Sequence, residues 1–207
     1  MFLACTGPTP VGIWRVSDDA IAIRDSVNRA KGTGYQKDVT MKKTKYLQMM
    51  EEQVFVALAD AYPNATKIIV QQDGARPHTG NTKDGEEPTT EELNEIAAHF
   101  RSIWPGCPPI EVITQPAQSP DFNINDLAFF RSLGTAVRKL RRGTVDFDKE
   151  KLAADVKKAW DDYDQSKLDD MWEYHAHCLR ASLDTTPPGG NDYDRHMRAA
   201  AKRARKL

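Results

Sequence analysis

Two aspartates are the residues whose type and setting could do chemistry in this sequence, and the chemistry would be metal-assisted. Asp73 lies in Ile68-Ile69-Val70-Gln71-Gln72-Asp73-Gly74-Ala75-Arg76-Pro77-His78, where an apolar run turns polar and delivers a carboxylate. Open α/β sheets place their sites at that end of a strand. Asp126 lies in Ser119-Pro120-Asp121-Phe122-Asn123-Ile124-Asn125-Asp126-Leu127, where a proline turn feeds the first turn of a helix. Carboxylates from two such elements can share divalent cations. A pair of ions roughly 3.5–4 Å apart stabilises both the attacking and the leaving oxygens of phosphodiester cleavage. Magnesium suits such a place, because it takes one or two carboxylates and keeps room for water and phosphate. On their own, the two aspartates also fit a turn and a helix cap.

The elements that must position them follow from periodicity. Residues 1–5 and 12–16 read as two strands around Gly7-Pro8-Thr9-Pro10, a hairpin. Residues 17–39 are polar, contain glycine and show little periodicity, so they read as a long loop. Thr40 offers a helix N-cap, and Leu47, Met50, Val54 and Leu58 recur at helical spacing up to Pro63-Asn64. Lys67-Ile68-Ile69-Val70-Gln71-Gln72 has the compact apolar run of a buried parallel strand. Thr89 and Glu92 form a capping box ahead of a helix with Leu93, Ile96, Phe100 and Ile103 on one face. A strand follows at residues 110–114. The helix bearing Asp126 shows Leu127, Phe130, Leu133, Val137 and Leu140 on one face and ends near Gly143. Two more amphipathic segments carry Leu152, Val156 and Trp160, then Leu168, Trp172 and Leu179. This alternation predicts an α/β domain with helices on both faces of one sheet.

Composition narrows the class. A chain of 207 residues holds one substantial domain and a short appendage. With 40% hydrophobic and 29% charged residues, wholesale disorder is excluded. Lys and Arg number 29 against 30 Asp and Glu, so any affinity for nucleic acid must come from local clusters. Cys5, Cys107 and Cys178 are odd in number and widely spaced, which implies a reducing compartment and not a disulfide framework. No run approaches the roughly 20 apolar residues of a membrane span. Residues 1–5 are too few for a secretory h-region. The expected setting is intracellular, nuclear or cytoplasmic, with no membrane partner.

Taken together and in order, the two aspartate segments resemble the paired signatures of the Tc1/mariner transposase family. In that family the second catalytic Asp sits in a Gln-Asp-Asn-Ala-x-Pro-His block. The third acidic residue lies five positions after the Asp of a Ser-Pro-Asp-x-Asn block. Those positions are Asp73 and Asp126 here, and Asp121 belongs to the turn motif. The continuation Asp126-Leu127-Ala128-Phe129-Phe130 is most similar to the mariner-like branch of plants and related eukaryotes. The resemblance runs over residues 1–140. It implies a ribonuclease H-like α/β fold, a mixed five-stranded sheet flanked by helices, over residues 1–143. A C-terminal helical extension at 144–186 and a polar, basic tail at 187–207, read as disordered, complete the expected organisation. The resemblance further implies Asp73 and Asp126 as catalytic metal ligands, Mg2+ or Mn2+ as cofactor and DNA as partner. A homodimer is the other partner considered. The ancestral reaction would be metal-dependent cleavage and joining of DNA phosphodiesters. His78 is expected to order the Asp73 loop.

The sequence also departs from that pattern. The family's first catalytic Asp lies in an Asp-Glu-Lys-Trp-like block just upstream of a strand resembling residues 1–5, and no such block occurs here. Asp18 and Asp19 come only after the second strand. Gly74 stands where the family usually has Asn. The 52 residues between Asp73 and Asp126 exceed the family's usual interval, and the polar stretch 79–88 accounts for much of the excess. In the implied fold the first strand is central, so a sheet without it has two unpaired edges. Three outcomes are expected: marginal stability, a sheet that closes up, or a strand supplied by a partner. The leading expectation is a remnant or domesticated domain, catalytically incomplete because such a site works as a unit. The alternatives are a non-catalytic nucleic-acid- or protein-binding module, and a gene product whose first Asp is encoded upstream.

Weaker signals remain. Arg138, Lys139, Arg141 and Arg142 fall on the exposed side of the Asp126 helix. They could track DNA phosphates or complement the helix dipole. The basic cluster at 202–206 reads as a nuclear-localisation or nucleic-acid patch or as a disordered tail. Of His175, His177 and Cys178 only the first and last share a helix face, and no second ligand pair has zinc spacing. Trp160 and Trp172 follow the apolar stripes and are expected in the core.

Overall fold

The computed structural model describes residues 1–27, 29–75, 78, 89–116, 119–144 and 148–185. The stretch 79–88, the tail 187–207 and Arg76 and Pro77 of the Asp73 motif lie outside the described residues.

β1 (Phe2–Thr6) and β2 (Pro10–Arg15) form an antiparallel hairpin, paired from Phe2↔Arg15 to Cys5↔Gly12. Successive side chains of a strand point to opposite faces, and both faces of β1 are apolar. Leu3 and Cys5 pack on one core cluster, and Phe2 and Ala4 on the other. The turn lies against Tyr62, whose hydroxyl is held by the backbone N–H and Oγ1 of Thr9. A Cβ on Gly7 would sit 2.2 Å from that hydroxyl, so the approach requires glycine.

The stretch 17–39 is not the loop expected from its polarity. β3 (Ser17–Ile21) and β4 (Gly34–Asp38) pair antiparallel along their length. Polar partners hold this ribbon in place of an apolar face. Ser17 Oγ donates to Gln36 Oε1 at 2.7 Å, Gln36 donates to Asp19, and the Arg29 guanidinium lies 4.1 Å from the Tyr35 ring centre. Asp18 pairs with Lys45. Asp18 and Asp19 are thus strand residues engaged by neighbours.

The first helix begins at Lys43, later than a Thr40 cap would have it, and its N-cap Lys42 makes no capping bond. Three segments run on continuously: α1 (Lys43–Met49), a π-helical stretch (Met50–Phe55) and α2 (Val56–Ala61). Tyr46, Met50, Val54, Phe55 and Leu58 enter the first core cluster. β5 (Ile68–Gln72) and β6 (Ile110–Thr114) pair in parallel, as the apolar run predicted. Burial is one-sided, however: Ile68 and Val112 are buried, whereas Ile69 is 58% exposed. α3 (Thr89–Ile103) starts where the capping box placed it and covers the buried face with Leu93, Ala97 and Phe100, leaving Ile103 exposed. Its Asn94 also occupies the outer edge of β6. It accepts from Val112 N at 2.8 Å and donates to Val112 O at 3.0 Å, as a neighbouring strand would.

A 3-10 turn (Pro120–Phe122) and a π turn (Asn125–Phe129) lead into α4 (Phe130–Leu140). The π turn adds a residue and shifts the apolar phase. Phe129, Leu133 and Val137 are therefore the buried stripe, while Phe130 and Leu140, expected inside, are exposed. α5 (Lys149–Asp161) and α6 (Gln165–Leu183) are N-capped by Asp148 and Asp164, which accept from Glu150 N and Ser166 N. Both helices share the second cluster with α4, Phe2 and Ile13, through Val156, Trp160 and Leu168. Trp160 is buried as expected, and Trp172 donates its indole N–H to Gly7 O. Arg15 staples this half together, reaching Asp38 at 2.8 Å and Glu150 at 2.6 Å. Its guanidinium holds the Asp38 carboxyl at about 2.

The fold is mixed α/β with helices on both faces of the β1–β2 hairpin. The single five-stranded sheet is not observed. Among the described residues there are three two-stranded sheets, in which β1 pairs only with β2 and β5 only with β6. β1 and β5 are not paired with each other, so the expected closing-up of the sheet is not observed.

Candidate functional site

Gln72, the last residue of β5, is 5% exposed and spends its amide on the loop that follows. It accepts from the Tyr46 hydroxyl at 2.8 Å and donates to His78 O and Thr90 Oγ1, each at 2.8 Å. The Tyr46 and His78 rings lie 4.2 Å apart, so His78 is clamped against α1. Burial pushes the Tyr46 hydroxyl well above its ordinary range, and the nearby Asp73 charge adds to this. It therefore acts as a donor and not as an acid. Burial likewise pushes the Cys5 thiol up to about 12, which leaves it inert.

This clamp fixes Asp73. His78 Nδ1 bonds Asp73 Oδ1, and Ala75 N donates to the same oxygen at 3.0 Å. The His78 hydrogen bond, partly opposed by desolvation and helped by Ala75, holds the Asp73 carboxyl below its ordinary value. The expected ordering role of His78 thus corresponds to a direct bond to the carboxylate.

Asp126 is positioned from three sides through its own segment. Asn125 ties the segment to β1, accepting from Thr6 Oγ1 at 2.7 Å and donating to Ala4 O at 3.4 Å. Gln71 on β5 donates to Phe122 O, and His175 Nε2 on α6 lies 3.0 Å from the same oxygen. Asn123 Nδ2 then donates to Asp126 Oδ2 at 3.0 Å. Desolvation raises the Asp126 carboxyl, and the Asp73 charge raises it further. The two aspartates are therefore close enough to feel each other, although one comes from a strand end and the other from a helix start.

Asp73 Oδ2 and Asp126 Oδ1 carry no hydrogen bond among the described residues. Two hard carboxylate oxygens with one like-charge-strained partner fit a Mg2+ or Mn2+ ion, which would relieve the repulsion. Among the described residues no group of three or more His, Cys, Asp or Glu side chains forms a metal cluster. Asp18 and Asp19 are elsewhere, on β3, and His175 is spent on Phe122 O. Cys178 is buried beside Phe122.

Of the four cations expected to meet DNA, Arg141 is turned to Asp155 at 2.8 Å and Arg138 donates to Thr135 Oγ1. Lys139 and Arg142 have no ion pair among the described residues. Sequence reasoning missed Tyr46, Gln72, Asn125 and Gln71, whose partners are remote in sequence. The one available signal was the polar pair Gln71-Gln72 ending an apolar strand. No described helix is long and apolar enough to cross a membrane. No protein-family model matches the chain, and comparison with curated proteins and with solved structures finds no match.

Proposed function

We propose that this chain is a remnant or domesticated DNA-transposase domain of the Tc1/mariner kind, in which Asp73 and Asp126 still hold a divalent cation. One observation carries the reading. Asp126, at a helix start, has its carboxyl raised by desolvation and further by the charge of Asp73, at a strand end. Perturbed carboxylates at or near the end of a strand are where metal sites of α/β proteins lie, which supports the reading. The Ser-Pro-Asp-x-Asn and Gln-Asp signatures supply the family.

A bound Mg2+ or Mn2+ would supply charge stabilisation to the oxygens of a phosphodiester undergoing displacement. The chain's own residues bind and orient. His78 and Ala75 favour the ionised form of Asp73, and Asn123 holds one oxygen of Asp126. Two carboxylates suffice to bind one ion, and this chain alone is expected to show little or no strand cleavage.

An Mn2+ titration followed by electron paramagnetic resonance tests the metal reading. Binding should be lost in Asp73→Ala and Asp126→Ala; equal binding by both variants would overturn it. Metal-dependent nicking of supercoiled DNA by the purified chain, abolished by Asp126→Ala, would instead make it an active endonuclease.

A further inference from the structure

The face of α4 continues the line on which Asp126 stands. A π turn needs one residue more per turn than an α-helix, so the residue stacked one turn beyond Asp126 is Arg131. From there the α-helical spacing of four gives Thr135 and Lys139. Asp126, Arg131, Thr135 and Lys139 thus form one file along the helix. Arg131, Thr135 and Lys139 line an open groove of about 610 Å3 between α4 and the start of α6, whose opposite side carries Lys167; its near end is Leu127, the residue after Asp126.

The electrostatics of this groove favour an anion. Its acids are already engaged: Asp162 is paired with Lys158 at 2.7 Å, and Asp164 accepts from Ser166 N and Oγ as the cap of α6. Arg131 and Lys139 have no ion pair among the described residues, and Lys167 approaches Asp164 only to 3.7 Å. Several long cations outside the groove are committed, as in Arg15–Asp38, Lys43–Glu92 and Lys45–Asp18. Arg131 and Lys139 are eight residues apart, about 12 Å along the helix axis. That length spans roughly three or four phosphates at ~3.4 Å per strand charge.

We infer that this groove is a track for the sugar–phosphate backbone of a nucleic-acid strand leading to Asp126, with Arg131, Lys139 and Lys167 as its phosphate-binding side chains. The inference rests on the metal-site reading for its direction, since the groove's end at Leu127 adjoins Asp126 in the chain, but its binding energy comes from other residues. Thr135 supplies a hydroxyl midway, and the apolar floor accepts sugar carbons. Sequence preference is not expected, because no side chain in the file is placed to read a base edge.

The test is fluorescence anisotropy of a labelled single-stranded DNA of about 20 nucleotides with the full chain at low salt. The combined Arg131→Gln, Lys139→Gln, Lys167→Gln variant should lose at least about tenfold in affinity. Its log K against log salt slope should flatten by about two, near 0.7 per lost phosphate contact. Lys157→Gln on α5, outside the groove, should change affinity by less than about twofold. A second measurement needs no variant: bound oligonucleotide should protect Lys139 and Lys167, but not Lys157, from acetylation. The proposal is overturned by absence of binding, by an unchanged triple variant, by equal loss in Lys157→Gln, or by unprotected lysines. Displacement by poly-glutamate as readily as by unlabelled DNA would also overturn it and assign the groove to acidic polypeptides. Loss of Mn2+ binding with groove binding intact defeats only the metal reading, and the reverse result defeats only the track.

Discussion

Asp73 and Asp126 are alike in residue type and opposites in environment. Asp73 closes a strand, receives two hydrogen bonds on one oxygen, and has its pKa lowered chiefly by His78. Asp126 opens a helix, receives one bond from Asn123, and has its pKa raised by desolvation and by Asp73. The difference teaches that the pair is asymmetric before any ligand arrives. One carboxylate is a fixed anion, and the other is held where a charge is uncomfortable, so a cation gains most at Asp126.

The supports under the two residues differ as much. Beneath Asp126, Phe129 is fully buried and meets the Trp160 ring edge-on at 5.4 Å and the Tyr163 ring at 5.1 Å. Phe129→Ala should therefore have the largest effect, costing roughly 3–5 kcal/mol in urea unfolding. A loss under about 1 kcal/mol would mean that the second cluster does not hold this helix. Beneath Asp73 the support is polar. Gln72→Ala would strand the Tyr46 hydroxyl and release the His78 carbonyl, at a cost of about 1–3 kcal/mol. Amide exchange should speed in the loop after β5 and not in α4. Uniform speeding would erase the contrast between the two supports.

The opposite pKa shifts give a pH signature. Mn2+ affinity should fall as pH drops through the raised pKa of Asp126, while Asp73 is still ionised. The titration should be monophasic in that range and vanish in Asp126→Asn. A midpoint below the ordinary carboxylate value would assign it to Asp73. Stability should respond with two signs. The depressed Asp73 stabilises the fold above the ordinary carboxylate pKa, and that contribution is lost as pH falls through the lowered value. The raised Asp126 opposes folding when ionised, and relief comes as pH falls through its raised value. At neutral pH, Asp126→Asn should thus stabilise and Asp73→Asn destabilise, each by less than about 1 kcal/mol because both carboxylates are partly in water. The same sign for both, by thermal melting, would remove the asymmetry.

The two aspartates and their carrier elements were legible because a strand that turns polar and a proline-led helix start are local patterns. That β5 is a parallel strand and that residues 110–114 form a strand were legible from the same kind of run, although their pairing with each other was not among the expectations. The ribbon β3–β4 was not, since Asp18, Asp19, Gln36 and Lys37 have no apolar alternation and the ribbon is held by side-chain pairs. The π turn was hidden because Phe129 and Phe130 are the same residue type, and only packing decides which turns inward. Gln72, Asn125 and Asn94 were hidden for another reason. Their most distant partners lie 26, 121 and 18 positions away respectively, and periodicity carries no information at those ranges.

The edge of β5 without a strand partner among the described residues has a consequence for life in a crowded solution. An open strand edge beside a 58% exposed Ile69 is a template for another chain of its own kind. Its reach is short, at five residues, and charge stands at both of its ends, Lys67 paired with Glu111 and Asp73 beyond Gln72. Those flanking charges act as gatekeepers against fibrillar stacking. The carboxylate that marks the candidate site thereby also helps to keep the protein from self-association.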